Sequence, residues 1–128
     1  MERAFPVIYA ERVSLTAGFY EELGFERHFQ LPAEGEPGYV GLRRGGSELG
    51  VVSAEWPREQ YGVSVGPGAR FELFVYVDVL DEVVEAMRRA GREIVRDPAE
   101  MPWGERIAYV ADPEGNPVAL AEPGPPEA

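Results

Sequence analysis

Few residues in this chain are able to do chemistry. Its 128 residues include no cysteine and a single histidine, His28, which excludes thiolate nucleophiles, disulfides and cysteine-held zinc or iron–sulfur centres. A Ser-His-Asp triad, a histidine-rich zinc site or a two-histidine iron site would depend on His28 or on sharing between subunits. His28 stands among polar neighbours in Glu26-Arg27-His28-Phe29-Gln30, the setting of a surface histidine with no chemical role. Aromatic rings beside a carboxylate are what the sequence offers instead. From Glu72 to Asp78, strand alternation sets Leu73, Val75 and Val77 on one face and Glu72, Phe74, Tyr76 and Asp78 on the other. With the aliphatic row packed on a helix, Phe74 and Tyr76 offer surfaces for a planar ligand, each ring contact adding about 0.5–1.5 kcal/mol beyond burial. Packing at a dimer interface is the competing account of both rings.

Glu72 has two possible uses: a general base in an apolar groove, or a carboxylate paired with a cationic ligand. With no second catalytic group beside it, the binding role is preferred, and an interface ion pair with an arginine such as Arg106 is the plain structural alternative. Trp103 lies in a Pro-Gly loop, where its indole N–H can donate to a ligand carbonyl. Trp56 and Tyr61 fall in a Gly/Pro-rich stretch, where they lid a groove or clamp the chain crossover. Ser53 could add a hydroxyl at the end of a strand, against the commoner fate of bonding to nearby backbone.

These side chains need a scaffold, and composition describes its kind. A 128-residue chain with 45% hydrophobic and 27% charged residues matches one folded globular domain. Net charge is −11, from 12 basic and 23 acidic residues, which opposes nucleic-acid backbones and anionic membranes and favours a neutral or cationic partner. Simple solubility is the alternative use of that acidity. Apolar runs such as Phe71–Leu80 are broken by Glu72 and Asp78 and fall short of the roughly 18 residues that span a bilayer. The start, Met1-Glu2-Arg3-Ala4-Phe5-Pro6, lacks a secretory pattern, so a cytoplasmic location is expected.

Two helices are predicted. Residues 11–23 carry Val13, Leu15, Ala17, Phe19, Tyr20 and Leu23 before Gly24, and residues 80–90 carry Leu80, Val83, Val84 and Met87 at helical spacing before Gly91. Strands are predicted at 5–10, 25–31, 39–43, 48–53, 69–77, 93–96, 106–110 and 118–121. The order strand, helix, three strands thus occurs twice, and a shift of 67 residues lays Glu21–Glu26 over Arg88–Glu93. The expectation is an α+β fold of two tandem βαβββ modules, at about 3–54 and 69–122, forming a concave mixed sheet with helices on the convex face. A linker at 55–68 and a disordered tail at 123–128 complete the chain.

With Thr16-Ala17-Gly18-Phe19-Tyr20-Glu21-Glu22-Leu23-Gly24-Phe25, Met101-Pro102-Trp103-Gly104-Glu105-Arg106 and Asp112-Pro113-Glu114-Gly115-Asn116, the chain resembles the glyoxalase/bleomycin resistance/dioxygenase (vicinal oxygen chelate) superfamily. Metal-dependent members place ligands on strands one, four, five and eight. Here those places hold Phe5, one of Leu49–Ser53, Glu72 and Ala119, and a lone carboxylate does not hold a divalent ion. The resemblance therefore implies the metal-free, cofactor-free bleomycin resistance type, which sequesters an aromatic, peptide-like and often cationic antibiotic in grooves of a homodimer. It further implies Trp103, Tyr39 and Phe29 as ligand contacts and Pro6 near a strand exchange between subunits. The dimer would be domain-swapped or side by side, since open sheet edges and an apolar concave face call for cover. The alternative within the superfamily is a lyase, isomerase or dioxygenase using Glu72.

Overall fold

Every strand and both helices expected from the hydrophobic pattern are present, and one further helix appears. The structure, a computed structural model that describes residues 3–124, runs β1 (Val7–Ala10), α1 (Val13–Glu22), β2 (Glu26–Leu31), β3 (Tyr39–Arg44), β4 (Ser47–Ser53), α2 (Glu55–Tyr61), β5 (Leu73–Tyr76), α3 (Leu80–Arg89), β6 (Ile94–Glu100), β7 (Arg106–Ala111) and β8 (Pro117–Glu122). Residues 125–128 of the expected tail lie outside the described residues. Two compact units meet at Pro67 and Gly68 in the chain. Each contains one four-stranded mixed sheet, ordered β1-β4-β3-β2 in the first unit and β5-β8-β7-β6 in the second. In each, the first strand pairs in parallel with the last and the remaining pairs are antiparallel. This is the α+β fold of two βαβββ modules.

Apolar spacing explains the two ten-residue helices. In α1, Val13, Thr16, Ala17, Phe19 and Tyr20 are buried, a stripe that repeats at three and four residues and faces one side. Phe19, Tyr20 and Phe25 meet edge to face, with centroids 4.9 and 6.0 Å apart. In α3, Leu80, Val84 and Met87 are buried, while Asp81 and Glu82 begin the helix and Arg88 and Arg89 end it, an order that complements the helix dipole. An offset of 67 carries α1 onto α3 residue for residue and Gly24 onto Gly91, and these glycines have φ of 95° and 79°. In both units the chain leaves its helix through a left-handed conformation that only glycine adopts without cost.

The sheets then divide their side chains by alternation. In the first unit Ile8, Ala10, Val40, Leu42, Leu49 and Val51 are buried, forming the face that packs on α1. In the second, Val75, Ala108, Val110, Val118 and Leu120 are buried on the α3 side. Burying each such aliphatic side chain contributes about 1.5–3 kcal/mol. The turn from β7 to β8 is built by its own polar residues: Asp112 Oδ1 accepts from the Glu114 and Asn116 amides, and Asn116 Nδ2 donates to Asp112 Oδ2. Asn116 Oδ1 also accepts from the Arg70 amide at 3.0 Å, tying the approach to β5 onto the same turn.

The stretch expected as a linker departs from expectation. Residues Glu55–Tyr61 form α2, with Pro57 buried and Gly62 at φ 71° after it. Proline fits a first helical turn because amides there have no partner within the helix. At the other end the Gly62 and Val63 amides donate to the Arg58 and Pro57 carbonyls, the first being the 5→1 bond of a helix closed by a left-handed glycine. Two further boundaries move: β5 starts at Leu73 rather than Ala69, and β6 runs past Arg96 to Glu100 by means of register shifts around Pro98, where a bulge tolerates a residue without an amide hydrogen.

Candidate functional site

The face of the first sheet turned away from α1 carries Val7 and Tyr9 from β1, Gly50 and Val52 from β4, Tyr39 and Gly41 from β3, and Phe29 and Leu31 from β2. Helix α2 adds Glu55, Trp56, Glu59 and Tyr61, and together with Pro32, Gly38, Ser53 and the sheet residues just named other than Gly41 and Gly50 these line a cavity of about 600 Å³. The lining is mainly aromatic and aliphatic, with four hydroxyls, two carboxylates and no cation. Such a mixture of apolar walls and a few polar groups is what small-molecule sites present.

Its floor depends on two glycines. Gly41 and Gly50 pair across β3 and β4. A Cβ at Gly50 would lie 2.8 Å from the Tyr39 hydroxyl, and one at Gly41 would lie 3.1 Å from His28 Nε2. Only bare backbone lets Tyr39 and His28 lie across the sheet there. Phe29 meets Tyr39 at 5.9 Å and 62°, and burial pushes the Tyr39 phenol above its usual value. Beside this floor, Arg3 donates to both oxygens of Glu48 at 2.7 and 2.6 Å while lying 4.9 Å from the Phe5 ring centroid. The Arg3 hydrogen bonds hold the Glu48 carboxyl below the usual carboxylate range. His28 occupies the irregularity in β2, its Nε2 3.8 Å from Glu48 and its Nδ1 3.3 Å from Arg43.

Helix α2 is fastened over the sheet at both ends. The Glu55 amide donates to Ser53 Oγ at 3.2 Å, the Ala54 amide donates to the Ala10 carbonyl, and the Tyr9 and Tyr61 hydroxyls lie 2.8 Å apart. That bond to Tyr9 raises the Tyr61 phenol. Four of the expected ligand contacts, Phe29, Tyr39, Ser53 and Trp56, therefore line one cavity.

The other four lie in the second unit. Phe74 and Tyr76 are exposed, with ring centroids 5.5 Å apart, while Val75 and Val77 are buried as alternation requires. Trp103 is 61% exposed at the tip of the β6–β7 turn, where the Met101 amide donates to the Glu105 carbonyl. Met101 folds back onto Ile107, Ala119 and Ala121. The Trp103 indole N–H, expected to donate to a ligand carbonyl, donates here to Glu105 Oε1 at 2.7 Å. Tyr76 bonds to the same carboxylate, which raises its phenol. Glu72 is exposed just ahead of β5, with no hydrogen bond or ion pair among the described residues. Within the chain, Arg106 pairs with Asp81 at 3.1 Å and Glu122 at 3.8 Å. Pro6 precedes β1 and its carbonyl accepts from the Gly50 amide, so β1 pairs with β4 of its own chain.

The parallel pairs Val7 with Gly50 and Phe74 with Ala119 occupy corresponding places in the two sheets. The open fourth-strand ligand place is therefore Gly50, and the four places hold Phe5, Gly50, Glu72 and Ala119. This donor set does not fit a divalent ion, and no group of three or more His, Cys, Asp or Glu among the described residues is placed to hold one. Nor is any helix among them long and apolar enough to cross a membrane.

Pattern alone missed Tyr9, Glu59 and Glu105. Alternation over Val7–Ala10, with Ile8 and Ala10 inward, was a usable signal for Tyr9. Glu59 became visible only with α2, whose helical spacing puts Glu55, Trp56 and Glu59 on one side.

The family model described as Glyoxalase/Bleomycin resistance protein/Dioxygenase superfamily matches residues 5–120. Among curated proteins, none matches the chain. Solved structures of the same fold include a glyoxalase/bleomycin resistance protein/dioxygenase family enzyme from Burkholderia phytofirmans, 24% identical, with a TM-score of 0.78 over 91% of this chain and 94% of that one. TioX from Micromonospora sp. is 24% identical, with a TM-score of 0.75 over 94% and 98%. A lactoylglutathione lyase from Agrobacterium tumefaciens is 20% identical, with a TM-score of 0.71 over 95% and 94%.

Proposed function

We propose that this chain, which belongs to the glyoxalase/bleomycin resistance protein/dioxygenase superfamily, is a binding protein that sequesters an aromatic, peptide-like antibiotic without converting it. The observation that carries this reading is the aromatic cavity of about 600 Å³ over the first sheet. A planar chromophore fits between the Trp56 and Tyr61 side of the cavity and Phe29 and Tyr39 on the sheet. Tyr9, Tyr39, Tyr61 and Ser53 hydroxyls offer hydrogen bonds to amide groups of such a ligand. The ligand places of the metal-dependent members hold one carboxylate, Glu72, with no acid–base partner among the described residues, which favours binding over turnover. Resistance follows from lowering the free drug concentration, and the protein acts as a homodimer within the cell.

The test is a fluorescence titration of the purified protein with bleomycin and with a planar-chromophore peptide antibiotic, alongside elemental analysis for metals and light scattering. Saturable quenching that is lost in Trp56→Phe and kept in Trp103→Phe, with drug recovered unchanged, is the expected result. Quenching that survives Trp56→Phe, or chemical conversion of the drug, overturns the reading.

A further inference from the structure

We infer that helix α2 sets the charge of the ligand: Glu59 is the counter-ion for a planar aromatic cation bound in the first-unit cavity, an inference that rests on that cavity being the binding site. Thirteen residues line the cavity, and the only charged ones are Glu55 and Glu59. Glu55 is already compensated, since Arg58 Nη1 donates to its Oε2 at 3.1 Å. Arg58 is the one base of the helix, and its pairing three residues back leaves Glu59 with no ion pair or hydrogen bond among the described residues. Glu59 follows Trp56 by one turn, so the carboxylate and the indole border the same space. A flat cation stacked on that indole gains twice, from the negative ring face and from the carboxylate beside it. The whole chain strengthens this preference, because its net charge of −11 draws cations and repels anions. An anionic aromatic of the same shape would meet an uncompensated carboxylate with no cation in the lining to offset it.

The experiment uses two tricyclic probes of one ring size, 9-aminoacridine, which is protonated at neutral pH, and acridine, which is neutral there. Binding is followed through Trp56 emission in the full chain carrying Trp103→Phe, at low and high salt. The expected result is that 9-aminoacridine binds more tightly than acridine, and that Glu59→Gln lowers only the cation's affinity, by about threefold to fivefold, the size of a partly exposed ion pair. Glu59→Lys should reverse the preference, Glu55→Gln should change it less than Glu59→Gln does, and high salt should shrink it. Equal binding of the two probes, or an unchanged ratio in Glu59→Gln, overturns the inference while leaving the cavity as the binding site. Absence of Trp56 quenching by either probe removes the cavity reading and the inference together.

Discussion

The hydroxyl oxygens of Tyr9 and Tyr61 lie 2.8 Å apart, joining the sheet to the last residue of α2 across the mouth of the cavity. At its other end the same helix is held by the Ser53 hydroxyl and by backbone bonding of Ala54 to Ala10. A seven-residue helix with a single fully buried side chain, Pro57, has little packing of its own and depends on such tethers. The tyrosine pair is thus the side-chain tether of α2 at that end.

Tyr61→Phe removes the hydroxyl and keeps the ring. We expect faster amide hydrogen exchange across Glu55–Tyr61 with exchange in α1 unchanged, measured by mass spectrometry on the native protein. Because the bond to Tyr9 raises the Tyr61 phenol above its usual value of 10.0, its contribution is complete below that pH and is lost as pH rises through the folded value. The difference between wild type and variant should accordingly vanish in strong alkali. Equal exchange at neutral pH would show that the pair does not hold the helix.

Gly50→Ala tests the floor. Its Cβ would arrive 2.8 Å from the Tyr39 hydroxyl and 3.3 Å from two ring carbons, so the phenol must tilt away. The cost is about 1–3 kcal/mol, as for overpacking elsewhere, read from urea denaturation. In a Tyr39→Phe background the nearest atom is gone, and the penalty of Gly50→Ala should fall. A double-mutant cycle showing strictly additive effects would mean that the two residues do not compete for the same space.

How much of this was legible before the structure follows from where each signal resides. Helices α1 and α3 were visible because Val13 to Leu23 and Leu80 to Met87 carry both apolar spacing and a terminating glycine. The outward row of Phe74 and Tyr76 was visible because alternation is a local rule. Helix α2 was not, since Pro57 and Gly62 give the stretch the composition of a linker, whereas in the fold they are its first-turn and end signals. The bond from Trp103 to Glu105 depends on how the Met101–Glu105 turn closes, and the gathering of Phe29, Tyr39 and Ser53 with Trp56 depends on α2 folding back over the sheet. Those are tertiary facts, and residue spacing does not encode them.

Acid should act on the Arg3–Glu48 pair. Hydrogen bonds from Arg3 hold the Glu48 carboxyl below its ordinary 4.5, so the folded state releases this proton more readily than the unfolded chain does. Stability from the pair is fully present above that ordinary value and is lost as pH falls through the depressed one. Comparing urea midpoints from neutral pH downward, Glu48→Gln should be less stable than wild type at neutral pH, and the two should converge in acid. Parallel curves would place the acid sensitivity in other carboxylates.

The last prediction concerns Glu105, which gathers the Trp103 indole and the Tyr76 hydroxyl on one carboxylate. A phenolate at Tyr76 would face that negative charge and lose a donated hydrogen bond, which is why its phenol titrates above the usual 10.0. Glu105→Gln removes the charge and keeps an oxygen acceptor, so the Tyr76 transition should move down toward that value. With six tyrosines in the chain, the Tyr76 signal is isolated by subtracting the tyrosinate absorbance of Tyr76→Phe. Glu105→Ala should lower it as well and also free the indole, changing Trp103 emission in a Trp56→Phe background where it is the only fluorophore of its kind. A Tyr76 transition unmoved in both variants would show that the carboxylate does not bridge the two rings in solution, and Trp103 would then regain an unoccupied donor on the exposed face of the second unit.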